Sequence, residues 1–169
     1  MVNDPNWRLP EVPAFDLESL DFTPGGPLPT TARADGGNRS PALHWSGAPE
    51  GTKSFALTAY DPDAPTGSGF WHWAVYNIPG DVTELPAGVS TDDLPAGAVT
   101  LSNEMGGEEF TGAAPPPGDG QHRYFFTVSA LDIGELDIPA GATPAVLGFM
   151  LRANIIGRAQ LIGLAETPA

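Results

Sequence analysis

Apolar and polar positions in this chain alternate in short runs, and turn residues cut most runs before they reach helical length. Ser54–Tyr60 reads Ser-Phe-Ala-Leu-Thr-Ala-Tyr, and Trp71–Ile78 reads Trp-His-Trp-Ala-Val-Tyr-Asn-Ile before Pro79-Gly80 stops it. His122–Leu131 is a third run, His-Arg-Tyr-Phe-Phe-Thr-Val-Ser-Ala-Leu. Aromatic and β-branched residues at this density, bounded by Gly and Pro, predict strands. Shorter candidates are Phe15–Phe22, Ala42–Trp45 and Ala98–Ser102. One stretch has a different period. Thr143-Pro144 offers a capping hydroxyl followed by proline at the first helical position, and Val146, Leu147, Met150 and Leu151 then recur at three- and four-residue spacing. This predicts one amphipathic helix from Pro144 to about Arg158, ending near Gly157, with Ala159–Ala165 returning as a last strand. The pattern as a whole predicts a mainly β sandwich or barrel with a single late helix, formed as one domain over residues 1–169. Residues 1–13, polar and proline-bearing, are expected to run extended over the surface.

Composition narrows the function classes. There are 21 Gly and 19 Pro among 169 residues, but they punctuate apolar runs instead of forming low-complexity tracts, so they indicate a loop-rich fold. The net charge is −14, with 21 acidic residues against 7 basic ones, and Lys53 is the one lysine. A body this acidic repels nucleic-acid backbones and anionic membrane surfaces. The absence of cysteine removes disulfides, thiolate metal sites and thiol nucleophiles. No run approaches the ~18 apolar residues of a membrane span, and Met1–Pro10 has no apolar signal core, so stable membrane insertion is not expected and a cytoplasmic location is. No nucleophile elbow, zinc-binding helix, phosphate loop or dinucleotide fingerprint occurs, so the chain reads as a binding module and not as an enzyme, with no cofactor.

Candidate chemistry concentrates at strand ends. His72 and His122, two of three histidines, lie in strand candidates. Period-two geometry puts His122 and Tyr124 on one face and Arg123 on the other, where an ion pair is its expected role. Asp61 has the parity of Phe55, Leu57 and Ala59, so a core-facing strand delivers its carboxylate inward, where it must be paired or used. The Gly106–Gly120 loop contains three consecutive prolines, Pro115–Pro117, which stiffen it.

At these residues the sequence resembles a known family. Asp61-Pro-Asp-Ala-Pro65, followed by Trp71-His72-Trp73 and Asn77-Ile78-Pro79, resembles the first signature of the phosphatidylethanolamine-binding protein family. Gly112-Ala-Ala-Pro115-Pro116-Pro-Gly118-Asp-Gly120-Gln-His122-Arg123-Tyr124 resembles the second. The likeness runs from about Phe15 to Leu164, includes Ser40–Ser46, and is to the bacterial Raf-kinase-inhibitor-like branch. It implies a β-sandwich of two antiparallel sheets with a C-terminal helix, and a small surface pocket for phosphate, phosphorylethanolamine or a similar anionic headgroup. By position it places Asp61, His72, Ala114, Pro116, His122 and Tyr124 at that pocket. Phe110 and Gly112 fall at the rim. Phe110 stands where many members have tyrosine, and Ala114 stands where many have glycine, which leaves its backbone N–H free to face the anion.

Histidine N–H, the Tyr124 hydroxyl and loop amides are suitable donors, and binding is expected to strengthen as pH falls toward the histidine pKa of ~6.5. Two other readings stand beside this one. Asp61, His72 and His122 make a two-histidine, one-carboxylate set of the type that binds non-haem iron when convergent. The resemblance also allows an inhibitor of a kinase or protease, and a homodimer, with Trp7, Trp45 and Phe70 as candidate interface residues.

Overall fold

The computed structural model describes residues 3–169. In chain order the strands are β1 (Asp16–Glu18), β2 (Leu43–Ser46), β3 (Ser54–Asp61), β4 (Phe70–Pro79), β5 (Glu84–Leu85), β6 (Val99–Thr100) and β7 (His122–Leu131). The helix α1 (Pro144–Met150) and strand β8 (Ile155–Ala165) follow. They form two antiparallel sheets, one of five strands in the order β6-β4-β3-β7-β8 and one of three in the order β1-β2-β5. The expected mainly β sandwich with a C-terminal helix is what forms. No helix among the described residues is long and apolar enough to cross a membrane.

Alternation decides which residues fill the space between the sheets. Phe55, Leu57 and Ala59 of β3, Tyr124, Phe126 and Val128 of β7, and Trp73 and Val75 of β4 face the small sheet's Leu17, Leu43, Trp45 and Leu85. Trp45 meets Phe55 edge-on at 5.4 Å and is 3% exposed, so it is a core residue and not an interface residue. Of the other two candidates for an interface, Trp7 is 71% exposed and Phe70 is half-buried.

The opposite face of the large sheet buries a second cluster, where Leu147 and Leu151 pack with Ala56, Ala74, Tyr76 and Leu131. The Thr143 side chain caps α1 by accepting the Val146 N–H, with Pro144 in the first turn, as the sequence predicts. The helix is shorter than expected. It ends at Met150, a 3-10 turn spans Leu151–Ala153, and β8 begins at Ile155 instead of Ala159. The apolar stripe stops being useful after Leu151. From Gly157 onward buried and half-buried residues alternate strictly, and two β-branched isoleucines lead into that run. Ladder pairing with all of β7 outweighs continuation of the helix. Strand β5, two residues long, has no pattern of its own and exists because Leu43 and His44 pair with it.

Leu147, fully buried, is the side chain that fastens α1 to the sheet. Leu147→Ala is expected to lower unfolding free energy by about 2–5 kcal/mol, read from denaturant melts. A loss under about 1 kcal/mol would show that the helix is not held by this contact.

Candidate functional site

Four of the sequence-selected residues meet at one end of the inter-sheet core, and each is placed there by a local backbone event. Asp61 is the last residue of β3 and keeps the inward parity of Phe55, Leu57 and Ala59, so its carboxylate is 3% exposed. Its Oδ1 accepts the backbone N–H groups of Asp63 (2.8 Å) and Ala64 (3.1 Å), which fixes the Asp61–Pro65 turn. His122 and Tyr124 enter from β7 on the same face, each 2% exposed. Arg123 points to the other face and grips Asp63 through Nε (2.8 Å) and a terminal nitrogen (2.7 Å), the expected ion pair.

His72 arrives by a different route. In the β3–β4 ladder Tyr60 pairs with Trp71 and Ala59 with Trp73, which leaves His72 as an extra residue in a β-bulge. The bulge resets the alternation, so His72 and Trp73 both face inward although they are adjacent. Thr111 then holds His72 twice. Its N–H donates to the His72 carbonyl at 3.0 Å, and its carbonyl accepts the ring Nδ1–H at 2.7 Å. The carbonyl cannot donate, so Nδ1 carries the proton and a neutral ring leaves Nε2 as an acceptor. Burial pushes the His72 pKa below the ordinary value, against the opposing pull of Thr111 and Asp61. The ring lies 5.1 Å from Tyr124, edge-on, and 4.7 Å from Phe70.

His122 has the opposite electrostatics. Nδ1 is 2.8 Å from Asp61 Oδ2 and Nε2 is 2.9 Å from Asp119 Oδ2. Carboxylates only accept, so the fully bonded ring is an imidazolium. Burial opposes that charge, but the two carboxylates outweigh it and raise the His122 pKa above the ordinary value. Tyr124 has its hydroxyl pKa driven up by burial and by the nearby Asp61 charge, so it stays protonated.

The second motif forms the rim. Gly112 is buried, and its N–H donates to Asn38 Oδ1 at 2.7 Å. A Cβ there would stand 2.5 Å from the Arg33 and Ala34 backbone, so only glycine fits. Ala113 pairs with Ala32 and Ala34, tying the loop to residues 32–34. Ala114 is exposed. Pro116 is also exposed, whereas Pro115 is buried. Phe110 is 6% exposed and packs between Trp73 and Phe126, so it belongs to the core wall behind His72. His44, the third histidine, is on the surface beside Glu18 at 3.0 Å.

Three participants were not selected from the sequence. Asp119 occupies the outer nitrogen of His122, Thr111 sets the tautomer of His72, and Arg33 lies close enough for its charge to favour ionisation of Tyr124. The Arg33 guanidinium also bonds the Glu166 carbonyl and Thr167, so it is fixed in place. The two-histidine, one-carboxylate set is not arranged as an open metal site in this geometry. Both His122 nitrogens are taken by carboxylates, His72 offers one nitrogen, and no group of three candidate metal ligands exists among the described residues.

The family model described as phosphatidylethanolamine-binding protein matches residues 18–166. The chain belongs to that family. Among curated relatives it is 47% identical to the UPF0098 protein YbcL of Escherichia coli over 161 residues, 90% of this chain and 88% of YbcL. It is 46% identical to the Escherichia coli protein YbhB over 132 residues, 77% of this chain and 83% of YbhB. The crystal structure of YbcL, described as a new member of the mammalian PEBP family, matches with a TM-score of 0.86 at 46% identity, covering 90% of this chain and 98% of that one. The family's fold therefore extends to this chain nearly end to end.

The two carboxylates on His122 should differ in worth. Asp61→Ala strands a buried imidazolium and two turn N–H groups and is expected to cost about 3–5 kcal/mol at pH 6. Asp119 is 40% exposed in its side chain, and with solvent screening Asp119→Asn should cost about 1 kcal/mol or less. His122 has a raised folded-state pKa, so its contribution is complete below the unfolded value of ~6.5 and lost as pH rises through the folded value. The Asp119→Asn difference should therefore shrink in alkaline denaturant melts. A difference that grows with pH would contradict the imidazolium assignment.

Proposed function

We propose that this protein binds a small oxyanion, of the phosphate or phosphorylethanolamine type, at His122, His72, Tyr124 and the Ala114 amide. The observation that carries the reading is the position of Asp119. A carboxylate from an exposed loop already sits on the outer N–H of a buried imidazolium. A position that accepts one oxyanion presents the chemistry to accept another. An arriving phosphate takes over the His122 Nε2–H as the Asp119 carboxylate swings into solvent. Two glycines with positive φ, Gly118 and Gly120, flank Asp119 and give its loop the freedom to do so.

The other groups suit that role. The Tyr124 hydroxyl keeps its proton, held by burial and by the neighbouring Asp61 carboxylate. Arg33 also lies near Tyr124, with Asp35 paired to its Nε at 3.3 Å. Neutral His72 offers an acceptor nitrogen, which suits a ligand that carries its own proton, such as a monoprotonated phosphate. Asp61 is committed to His122 and the turn amides, so its role is to orient and charge the donor, not to touch the ligand. Nothing in this cluster activates a nucleophile, and the reading is a binding module. The family likeness also supports regulation of a partner protein by the occupied site.

Calorimetric titration with phosphorylethanolamine, phosphate and sulfate tests this. Sulfate keeps a constant charge across the range, so its pH dependence reports the protein alone. Binding should be saturable at pH 6, weaken as pH rises above ~7, survive EDTA, and strengthen in Asp119→Asn, which removes the competing carboxylate. Loss of affinity in Asp119→Asn, or sulfate binding that is flat from pH 5.5 to 9, would refute the displacement reading.

A further inference from the structure

The helix on the outer face of the five-stranded sheet covers only one end of it. With seven residues α1 is about 10 Å long, whereas the eight residues of β3 span about 27 Å. The outward residues of β3 record the difference. Ala56 is buried under the helix, while Thr58 and Tyr60 are half-buried. Beyond the helix lies a groove of about 840 Å³, within the size range of small-ligand sites. Its floor includes Tyr60, Phe125 and Thr127, one wall is residues 3–9, and the other is α1, which presents Ala145 and Gly148. The large sheet lies between this groove and the His122 cluster.

Charge and aromatic surface are distributed unusually here. Three of the chain's seven basic residues, Arg8, Arg152 and Arg158, line the groove, against only Asp4 and Asp63 of its 21 acidic residues. Asp63 is already clasped by Arg123 through both oxygens, and Asp4 Oδ1 caps the Asn6 amide. Each rim carries an exposed aromatic ring under a guanidinium. Arg8 stands 4.2 Å over Trp7 and Arg152 stands 5.9 Å over Phe149, and both rings are 71% exposed. Arg158 is half-buried, donates to the Pro10 carbonyl at 3.2 Å and has no carboxylate within ion-pair distance among the described residues. A partly desolvated guanidinium without a counter-ion, at the edge of an apolar groove in an acidic protein, needs an anion from outside.

We propose that this groove is a second binding site, for an amphipathic anion. Its chain or ring lies over Tyr60 and Phe125 between Trp7 and Phe149, and its carboxylate or sulfonate head pairs with Arg158. The inference is independent of the oxyanion reading of the His122 cluster, which faces the other side of the sheet.

Fluorescence titration with 8-anilinonaphthalene-1-sulfonate, followed by competition with dodecanoate and with uncharged 1-dodecanol, tests the site on the full chain. The probe should bind saturably, and dodecanoate should displace it about tenfold or more better than dodecanol. Arg158→Gln should remove that preference for the anion. Gly148→Trp should abolish probe binding by filling the groove. A Cβ at position 148 meets nothing within 4 Å, so this variant is expected to fold, which thermal melting checks. The proposal is overturned if the native chain gives no saturable signal, if dodecanol competes as well as dodecanoate, or if both folded variants bind the probe like the native chain.

Discussion

His122 carries a positive charge at a position almost closed to water, and the charge persists only because Asp61 and Asp119 take its two N–H groups. Much of the local architecture serves that contact. The end of β3 must deliver Asp61 inward, and the turn that follows must saturate its other oxygen with backbone N–H groups. Register between β3 and β7 must bring His122 alongside, and the ladder running from Ser54–Leu131 to Tyr60–Phe125 fixes it. Arg123, the next residue, then locks the same turn from the opposite face through Asp63. The two carboxylates of the Asp61-Pro-Asp63 segment thus anchor two consecutive residues of β7 on opposite faces of one sheet.

A buried cation beside a neutral histidine gives the site two different functional groups from one residue type. Asp61 and Asp119 raise the basicity of His122, while burial among Phe70, Phe110 and Tyr124 lowers that of His72. One ring donates and the other can accept, within the same pocket end. The net charge of −14 makes such a niche more selective, because long-range repulsion disfavours anions everywhere that donors are not concentrated. The outer face of the large sheet obeys the same rule. Basic residues are few, and three of them gather where the short helix leaves aromatic surface uncovered.

Much of this was legible in the sequence, for definite reasons. Inward Asp61, the shared face of His122 and Tyr124, and the outward Arg123 follow from period-two alternation in uninterrupted strands. The run His122–Leu131 is the observed strand without adjustment. The inward turn of His72 was not derivable from alternation, because the bulge that sets it depends on how β4 pairs with β3. Asp119 lies in a Gly/Pro loop with no period, and only the folded path of that loop brings it to His122. The sequence pattern carries α1 too far because Ile155 and Ile156 continue an apolar count that suits helix and strand alike. Pairing with β7, invisible in one sequence window, decides between them.

The most direct test of the central claim is an NMR pH titration that follows the ring resonances of His122 and His72 in the same sample. With two carboxylates on one ring and a buried carbonyl on the other, His122 should titrate above the ordinary histidine value of ~6.5 and His72 below it. Midpoints in the reverse order, or His122 neutral at pH 6, would contradict the account.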